Sequence, residues 1–149
     1  MRSLSILGRL IGDETDCFVI AEIGHNHQGE LKKAKEMIRQ AKVCGADAVK
    51  LQKRHNKSLY TRELYNKPYE HENSFGKTYG EHREFLEFGK KEYTELKHFC
   101  DEIGIIFFAT VFDFHSADFM KKMDAPVFKI ASGDLKNILK GERTTLNFL

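Results

Sequence analysis

The chain has 149 residues, and its 24 Lys plus Arg nearly balance its 22 Asp plus Glu. This length suits one domain, and the even charge balance gives no reason to expect nucleic acid or an anionic membrane as a partner. No stretch approaches the ~18 uninterrupted apolar residues of a membrane-spanning helix, and the opening residues 1–7 are too short for a signal-peptide core. We therefore expect a soluble cytoplasmic protein.

The cysteines are few and far apart. Cys17, Cys44 and Cys100 lack CxxC spacing, so they indicate neither a disulfide framework nor a zinc site. We expect all three to pack as small apolar residues.

The first residues read as a unit of their own. Leu4, Ile6 and Leu10 precede the turn-forming run Gly12-Asp13-Glu14. This pattern predicts a small hairpin or flap over residues 1–16, followed by a larger unit over residues 17–149.

Residues 17–52 predict a strand, a helix and a second strand. The apolar run 17–21 suits a buried strand, and apolar residues recur at helical spacing from Leu31 until Gly45, which suits a left-handed helix end. Residues 46–52 then predict a strand, and the connections are short enough for a βαβ unit.

The same order returns later in the chain. An apolar helical stripe over residues 93–103 ends at Gly104, and the apolar run 105–110 has the length of a strand covered on both faces. A shorter helix over residues 116–123 leads through Pro126 to a fourth strand at residues 127–131.

Strands that alternate with helices leave two α/β architectures, an open doubly wound sheet or a (β/α)8 TIM barrel. The absence of GxGxxG and GxxxxGK[ST] argues against a dinucleotide or P-loop fold. Polar residues lie at or just beyond the carboxyl ends of successive predicted strands, as at a barrel mouth: Glu22, Lys50, Thr110 and Lys129. The sequence therefore favours a TIM barrel, of which this chain holds about the first four strand-helix units.

Residues 53–90 are far longer than the usual ~2–6 residue connection. Their tyrosines and the helical turn predicted at residues 81–88 favour an ordered segment that covers the substrate rather than a solvated linker.

His25 and His27 could together suggest a metal site. Neighbours two apart in an extended segment need not converge on one ion, and no third ligand is spaced nearby. We therefore assign no metal ligand in this chain.

Four segments, in order along nearly the whole chain, resemble the sialic acid synthase (N-acetylneuraminate synthase) family: FVIAEIGHNH at 18–27, GADAVKLQ at 45–52, GKTYGEH at 76–82, and FKIASGD at 128–134 followed by Asn137. The resemblance implies a TIM barrel and a small antifreeze-like domain that reaches the partner subunit's site, hence a homodimer when complete. It also implies condensation of phosphoenolpyruvate with N-acetylmannosamine, its 6-phosphate or a related amino sugar. The products would be phosphate and a nine-carbon 2-keto sugar acid such as N-acetylneuraminate, and a divalent manganese or magnesium ion would take part.

The resemblance also assigns roles to residues. Lys50 and Lys129 match cationic contacts to phosphoenolpyruvate, and Thr110 and Ser132 match donors around the same ligand. Catalytic roles fall to two acids: Glu22 beside the reacting carbons, where it could stabilise cationic charge or transfer a proton, and Asp134 against the amino sugar. The sugar contacts implied in the long segment are Asn73 or Tyr79.

About four of the eight barrel strands lie in this chain. We expect no counterpart here for the family's metal histidines or its antifreeze-like domain, and residues 138–149 leave the family pattern. The isolated 149-residue chain is expected to be inactive.

Two other functions remain open from the sequence. One is a Schiff-base aldolase or lyase on the same barrel, with Lys50 or Lys129 as the amine nucleophile. The other is a noncatalytic half-barrel that binds a ligand or a partner protein.

Overall fold

A computed structural model describes residues 2–134, and it begins with an antiparallel hairpin. Strand β1, Ser3–Ile6, pairs with β2, Arg9–Gly12, so that Ser3 lies opposite Gly12. The turn residues Leu7 and Gly8 both have positive φ, 48° and 83°, as tight hairpin turns require.

The larger part of the described chain is an α/β unit built on a parallel sheet. Its strands are β3 (Ile20–Gly24), β4 (Ala48–Lys53), β5 (Ile106–Val111) and β6 (Phe128–Ile130). They lie side by side in sequence order, and all neighbours are parallel. The predicted α/β class with a parallel sheet is therefore confirmed.

Helices connect these strands. In chain order they are α1 (Leu31–Val43), α2 (Asn56–Leu59), α3 (Arg62–Tyr65), α4 (Tyr79–Leu86), α5 (Lys90–Ile103) and α6 (Phe114–Lys122). None of the helices in this part of the chain is long and apolar enough to cross a membrane.

The two long helices end where the glycines predict. Gly45 follows the last turn of α1 with φ +86°, and Gly104 caps α5 in the left-handed conformation with φ +69°. Only glycine adopts this backbone at little cost. Both helices therefore turn sharply into the strands that follow them.

The core lies between one face of the sheet and the helices. Alternate strand residues such as Val49, Leu51 and Ala109 pack there with Ile38 of α1 and Leu96 of α5. Because side chains alternate across a strand, Lys50 and its neighbours in register must point to the opposite face. The sheet thus separates an apolar face from a polar one.

Some predicted details are wrong. The first parallel strand is Ile20–Gly24 rather than residues 17–21, because the backbone before it is irregular and Val19 is exposed, its N–H bonded to the Asp47 carboxylate at 2.7 Å. Cys100 is buried as predicted, but Cys17 and Cys44 are exposed. Residue Asn137 and residues 138–149 lie outside the described part of the chain.

Residues 53–90 fold into α2, α3 and α4, joined by a bridge between Pro68 and Thr78. Thr78 and Glu81 form a reciprocal capping box at the start of α4. Gly80 lets α3 approach, since a Cβ there would lie 2.4 Å from the Tyr65 ring. The segment is therefore packed rather than extended.

His27 joins the turn after β3 to the end of this long segment. Its ring is only 1% exposed, stacks on Phe88 with centroids 4.0 Å apart, and accepts the Gly29 N–H at 3.1 Å. Burial, reinforced by the charge of His25, lowers the pKa of His27 to about 4. The imidazole is therefore neutral at pH 7.

This lowered pKa predicts a loss of stability in acid. Between about pH 6.5 and pH 4 the unfolded state binds a proton that folded His27 does not, so the free energy of unfolding should fall by up to about 3 kcal/mol across that window. Urea titrations at pH 7 and pH 5 measure the fall. In His27→Gln it should be clearly smaller, whereas the exposed-site control His98→Gln should match the unchanged protein. An identical pH dependence in both variants would contradict the prediction.

Candidate active site

The polar face of the sheet carries the candidate site. Glu22 lies opposite Lys50, and one layer further along, Gln52 lies opposite Thr110, which lies opposite Lys129. Successive layers on one face are about 7 Å apart. Four strands therefore bring their polar residues together on a single surface.

Lys50 is the centre of this surface. Its ammonium group pairs with the Glu22 carboxylate and donates a hydrogen bond to Thr110 Oγ1 at 3.0 Å. The Lys50 side chain is 12% exposed and that of Glu22 is 48% exposed, so the carboxylate is open to solvent while the ammonium is largely covered. Burial lowers the pKa of Lys50, and the nearby charge of Lys129 lowers it further.

The sequence placed these residues at or beyond strand ends, and this is wrong for two of them. Glu22 is the third of five residues in β3, and Lys50 is the third of six in β4. The strands run further because alternate positions, such as Ile23 and Leu51, stay apolar and buried. An inward polar residue does not end a strand whose other face is still in the core.

The segment around β6 supplies the other predicted residues. Lys129 is exposed and its Nζ donates to the Ile130 carbonyl at 2.6 Å. Ser132 is exposed, and a short helical turn joins it to Asp134. Burial raises the pKa of Asp134, and the negative charge of Asp113 raises it further. Asp134 therefore lies close to the loop that follows β5.

The two site residues predicted in the long segment lie in different surroundings. Tyr79 begins α4, and its ring meets Tyr60 edge to face with centroids 5.1 Å apart. Asn73 is exposed, and its backbone N–H donates to the His71 ring at 3.2 Å. Within residues 2–134 no hydrogen bond joins the Asn73 side chain to the Lys50 cluster.

Sequence reasoning missed a buried ionic group behind the polar face. Glu87 accepts from Lys53 Nζ at 2.8 Å and lies 3.5 Å from His25 Nε2. Burial alone would raise the pKa of Glu87, but His25 and Lys53 outweigh it and the net pKa is lowered. These groups are far apart in sequence, so no local pattern could have predicted their meeting.

Asp113 was missed as well. Its carboxylate accepts the His55 backbone N–H at 2.7 Å and caps α6 through the Ser116 N–H at 2.7 Å. This carboxylate therefore fixes the loops after β4 and β5 to each other at the carboxyl end of the sheet. An aspartate before a helical pattern is a recognised capping signal, but its bond to His55 is not predictable from spacing.

The described residues do not form a metal site. Across residues 2–134 no three His, Cys, Asp or Glu side chains group in a way that could hold an ion. The ring centroids of His25 and His27 are 5.7 Å apart. His25 lies against Glu87, with both of its ring nitrogens unbonded among the described residues, and His27 stacks on Phe88.

The fold of the described residues is similar to that of a crystallised sugar-acid synthase. A crystal structure of N-acetylneuraminic acid (sialic acid) synthetase from Leptospira borgpetersenii, in complex with citrate, superposes with a TM-score of 0.74 at 31% identity. The match covers 93% of this chain and 44% of that one.

The sequence comparisons identify the family. The NeuB family model matches residues 37–140. Human N-acetylneuraminate-9-phosphate synthase is 45% identical over 92% of this chain, and N,N'-diacetyllegionaminic acid synthase of Legionella pneumophila is 35% identical over 85% of it. The chain belongs to the NeuB family, and the predicted resemblance is confirmed. It spans 38% of the human relative and 36% of the Legionella one.

The pairing of Glu22 with Lys50 leads to a prediction about stability. Glu22→Gln should lower the free energy of unfolding by roughly 1–2 kcal/mol, because it leaves a mostly covered ammonium without its counter-charge. Adding Lys50→Met should recover most of the loss, since neither charge then remains unpaired. Denaturant titrations of both variants measure this.

The exposed carboxylate of Glu102 on α5 provides the matched control. Glu102→Gln should leave the unfolding free energy nearly unchanged. If the double variant is less stable than Glu22→Gln alone, the ammonium is not the source of the cost and the interpretation fails.

Proposed function

We propose that this chain contributes the phosphoenolpyruvate-binding part of a synthase that condenses phosphoenolpyruvate with an amino sugar. The sugar would be N-acetylmannosamine, its 6-phosphate or a related compound, and the products a 2-keto sugar acid and phosphate. The observation that carries the proposal is the largely covered Lys50 ammonium, held by Glu22 and Thr110 and close to Lys129. Membership of the NeuB family supports the reaction type.

The strand order supports a partial TIM barrel as the framework. In a doubly wound sheet the order reverses at a switch point and helices cover both faces. Here β3 to β6 follow one another without reversal, and α1, α5 and α6 contribute to one core on one face. With right-handed crossovers this is the arrangement of consecutive barrel units. In such a barrel the polar face would line the interior.

Phosphoenolpyruvate suits this face because it carries a carboxylate and a phosphate. Lys50 and Lys129 would supply charge-assisted contacts, and the Thr110 hydroxyl and the backbone near Ser132 would supply directed donors. The lowered pKa of Lys50 reflects burial and a second cation nearby, and a bound anion would relieve both effects. Binding should therefore favour the protonated lysine.

Glu22 and Asp134 would act on the reaction itself. Glu22 is open to solvent on one side and bonded to Lys50 on the other, so its carboxylate can face a ligand lying on the sheet. It would stabilise positive charge developing at the enol carbon, or move a proton there. Asp134, whose pKa is raised by burial, would contact the sugar.

A Schiff-base aldolase is less well supported. An imine-forming lysine must attack as the neutral amine, and the lowered pKa of Lys50 favours that form. Its contact with the Glu22 carboxylate, however, holds the ammonium form in place. The family match also favours the phosphoenolpyruvate reaction. For the whole protein we further propose a homodimer and a manganese or magnesium ion with ligands beyond residues 2–134.

Replacing Lys129 should affect the binding of the two substrates differently. Lys129→Met removes a charge-assisted contact and should weaken phosphoenolpyruvate binding by about 1.5–3 kcal/mol, while amino-sugar binding changes much less. Isothermal calorimetry with each substrate measures the difference.

Lys122, exposed near the end of α6, serves as the control. Lys122→Met should bind phosphoenolpyruvate as the unchanged protein does. Unchanged phosphoenolpyruvate affinity in Lys129→Met would refute the placement of Lys129 at this ligand.

The long segment should respond to the substrates. Residues 53–90 lie beside the carboxyl end of the sheet and carry exposed trypsin sites at Lys57, Arg62 and Lys77. If the segment closes over the sugar, cleavage there should slow at least severalfold when phosphoenolpyruvate and sugar are both present. Cleavage at Lys32 on α1 provides the internal comparison. Equal protection at both places, or at neither, would argue against a lid.

A further inference from the structure

Arg54 lies on the same face of the sheet as Lys50. The register of β4 with β5 pairs Gln52 with Thr110, and it continues past the strand ends. The Arg54 guanidinium carbon is 3.7 Å from the centre of the Phe112 ring, and the next residue, His55, bonds to Asp113. Arg54 therefore occupies the layer above Gln52, about 7 Å closer to the carboxyl end of the sheet.

The guanidinium group of Arg54 is buried and keeps one donor without a hydrogen-bond partner. The residue is 8% exposed, and within residues 2–134 its Nη1 has no hydrogen-bond acceptor. Glu87, the nearby carboxylate, accepts hydrogen bonds from Lys53 and from the Arg54 backbone N–H through Oε1, while its Oε2 faces His25 Nε2 at 3.5 Å. Burying a guanidinium group while one of its donors stays unbonded costs folding free energy. Such a group therefore calls for an explanation, such as a ligand that accepts its hydrogen bond.

A second arginine faces the same place. Arg83 projects from α4, its guanidinium lies 4.9 Å from the centre of the Tyr79 ring, and its buried Nε has no acceptor among the described residues. Burial lowers the pKa of Arg54, and the charge of Arg83 lowers it further. The two cations therefore repel each other, and the negative charge of Glu87 offsets this only in part, since the pKa of Arg54 stays lowered.

The side chains that contact these two guanidinium groups are aromatic. Burial, together with a hydrogen bond between Tyr60 and Tyr79, raises the pKa of Tyr60 to about 12, so its hydroxyl stays protonated at pH 7. The nearby Phe112 and Tyr79 rings present faces to the two guanidinium groups. These rings can stabilise the cations but carry no negative charge, and the nearby Glu87 carboxylate is paired with Lys53. An anionic ligand would supply a counter-charge to both arginines.

We propose that Arg54 and Arg83 together bind the phosphate group of a phosphorylated amino sugar. The inference rests on the proposed function, in which phosphoenolpyruvate lies one to two layers deeper, at Lys50. A sugar whose aldehyde reaches phosphoenolpyruvate would extend its far end toward the mouth of the sheet, where Arg54 lies. Guanidinium forks suit phosphate, because they donate two parallel hydrogen bonds to its oxygens. The pair would thereby determine which form of the sugar is accepted.

Calorimetry with N-acetylmannosamine 6-phosphate and with N-acetylmannosamine tests the inference. Arg54→Met and Arg83→Met keep much of the contact with the aromatic rings and remove the charge. Each variant should bind the phosphorylated sugar at least about tenfold more weakly. Each should change the affinity for the unphosphorylated sugar and for phosphoenolpyruvate by less than about twofold. Arg62→Met, an exposed arginine of the same segment, should change none of the three.

Melting temperatures separate a binding role from a structural one. If Arg54 is a ligand-binding cation, unliganded Arg54→Met should melt at the same temperature or higher, since one of two repelling charges is gone. The phosphorylated sugar should raise the melting temperature of the unchanged protein but not of the variant. A lower melting temperature with equal loss of all three ligands would identify Arg54 as structural and overturn the inference.

The remaining outcomes are also decisive. Equal losses for the two sugars, or no loss in either variant, would overturn the phosphate assignment. If the unchanged protein binds phosphoenolpyruvate and only the unphosphorylated sugar, the proposed function stands and the inference falls. If it binds neither sugar and no phosphoenolpyruvate, both fall.

Discussion

The structure depends on a lysine that lies inside a sheet and keeps its charge. Lys50 can do so because Glu22 and Thr110 meet its ammonium group from the two neighbouring strands. Both contacts require β3, β4 and β5 to be adjacent, parallel and in the observed register. A slip of one residue would turn Lys50 into the apolar core. The constraint that holds the site together therefore also specifies the sheet.

Much of this framework can be predicted because it follows from the regular spacing of apolar residues along the sequence. The helical stripes of α1 and α5, with Gly45 and Gly104 after them, predict both helices and where they end. Alternation within the strands puts Lys50 and Thr110 on one face. What alternation cannot give is the limit of each strand: β3 starts at Ile20 because the preceding backbone bonds to Asp47, a residue just before β4.

The residues that sequence reasoning missed share one property, which is that their partners come from distant parts of the chain. Glu87 meets Lys53 and His25 only after the long segment has folded back. Arg54 comes four residues after Lys50, so the alternation of side chains along a strand places both on the same face. This could have been predicted from the sequence. The stacking of Arg54 on Phe112 and its approach to the charge of Arg83 on α4 depend on tertiary packing, which no spacing rule describes.

The overall composition does not reveal the local excess of positive charge on the polar face. The formal net charge is only +2, yet Lys50, Lys129, Arg54 and Arg83 are grouped toward one face and mouth of the sheet. Among the described residues near them, Glu22 is bonded to Lys50 and Glu87 to Lys53, while the charge of Asp134 is disfavoured by burial. Excess positive charge in a partly desolvated concavity attracts anions far more strongly than the same charge spread over a surface. A nearly neutral chain can thus present two layers of cations, which under the proposed function would hold a small carboxylate and phosphate and, nearer the mouth, a second anionic group.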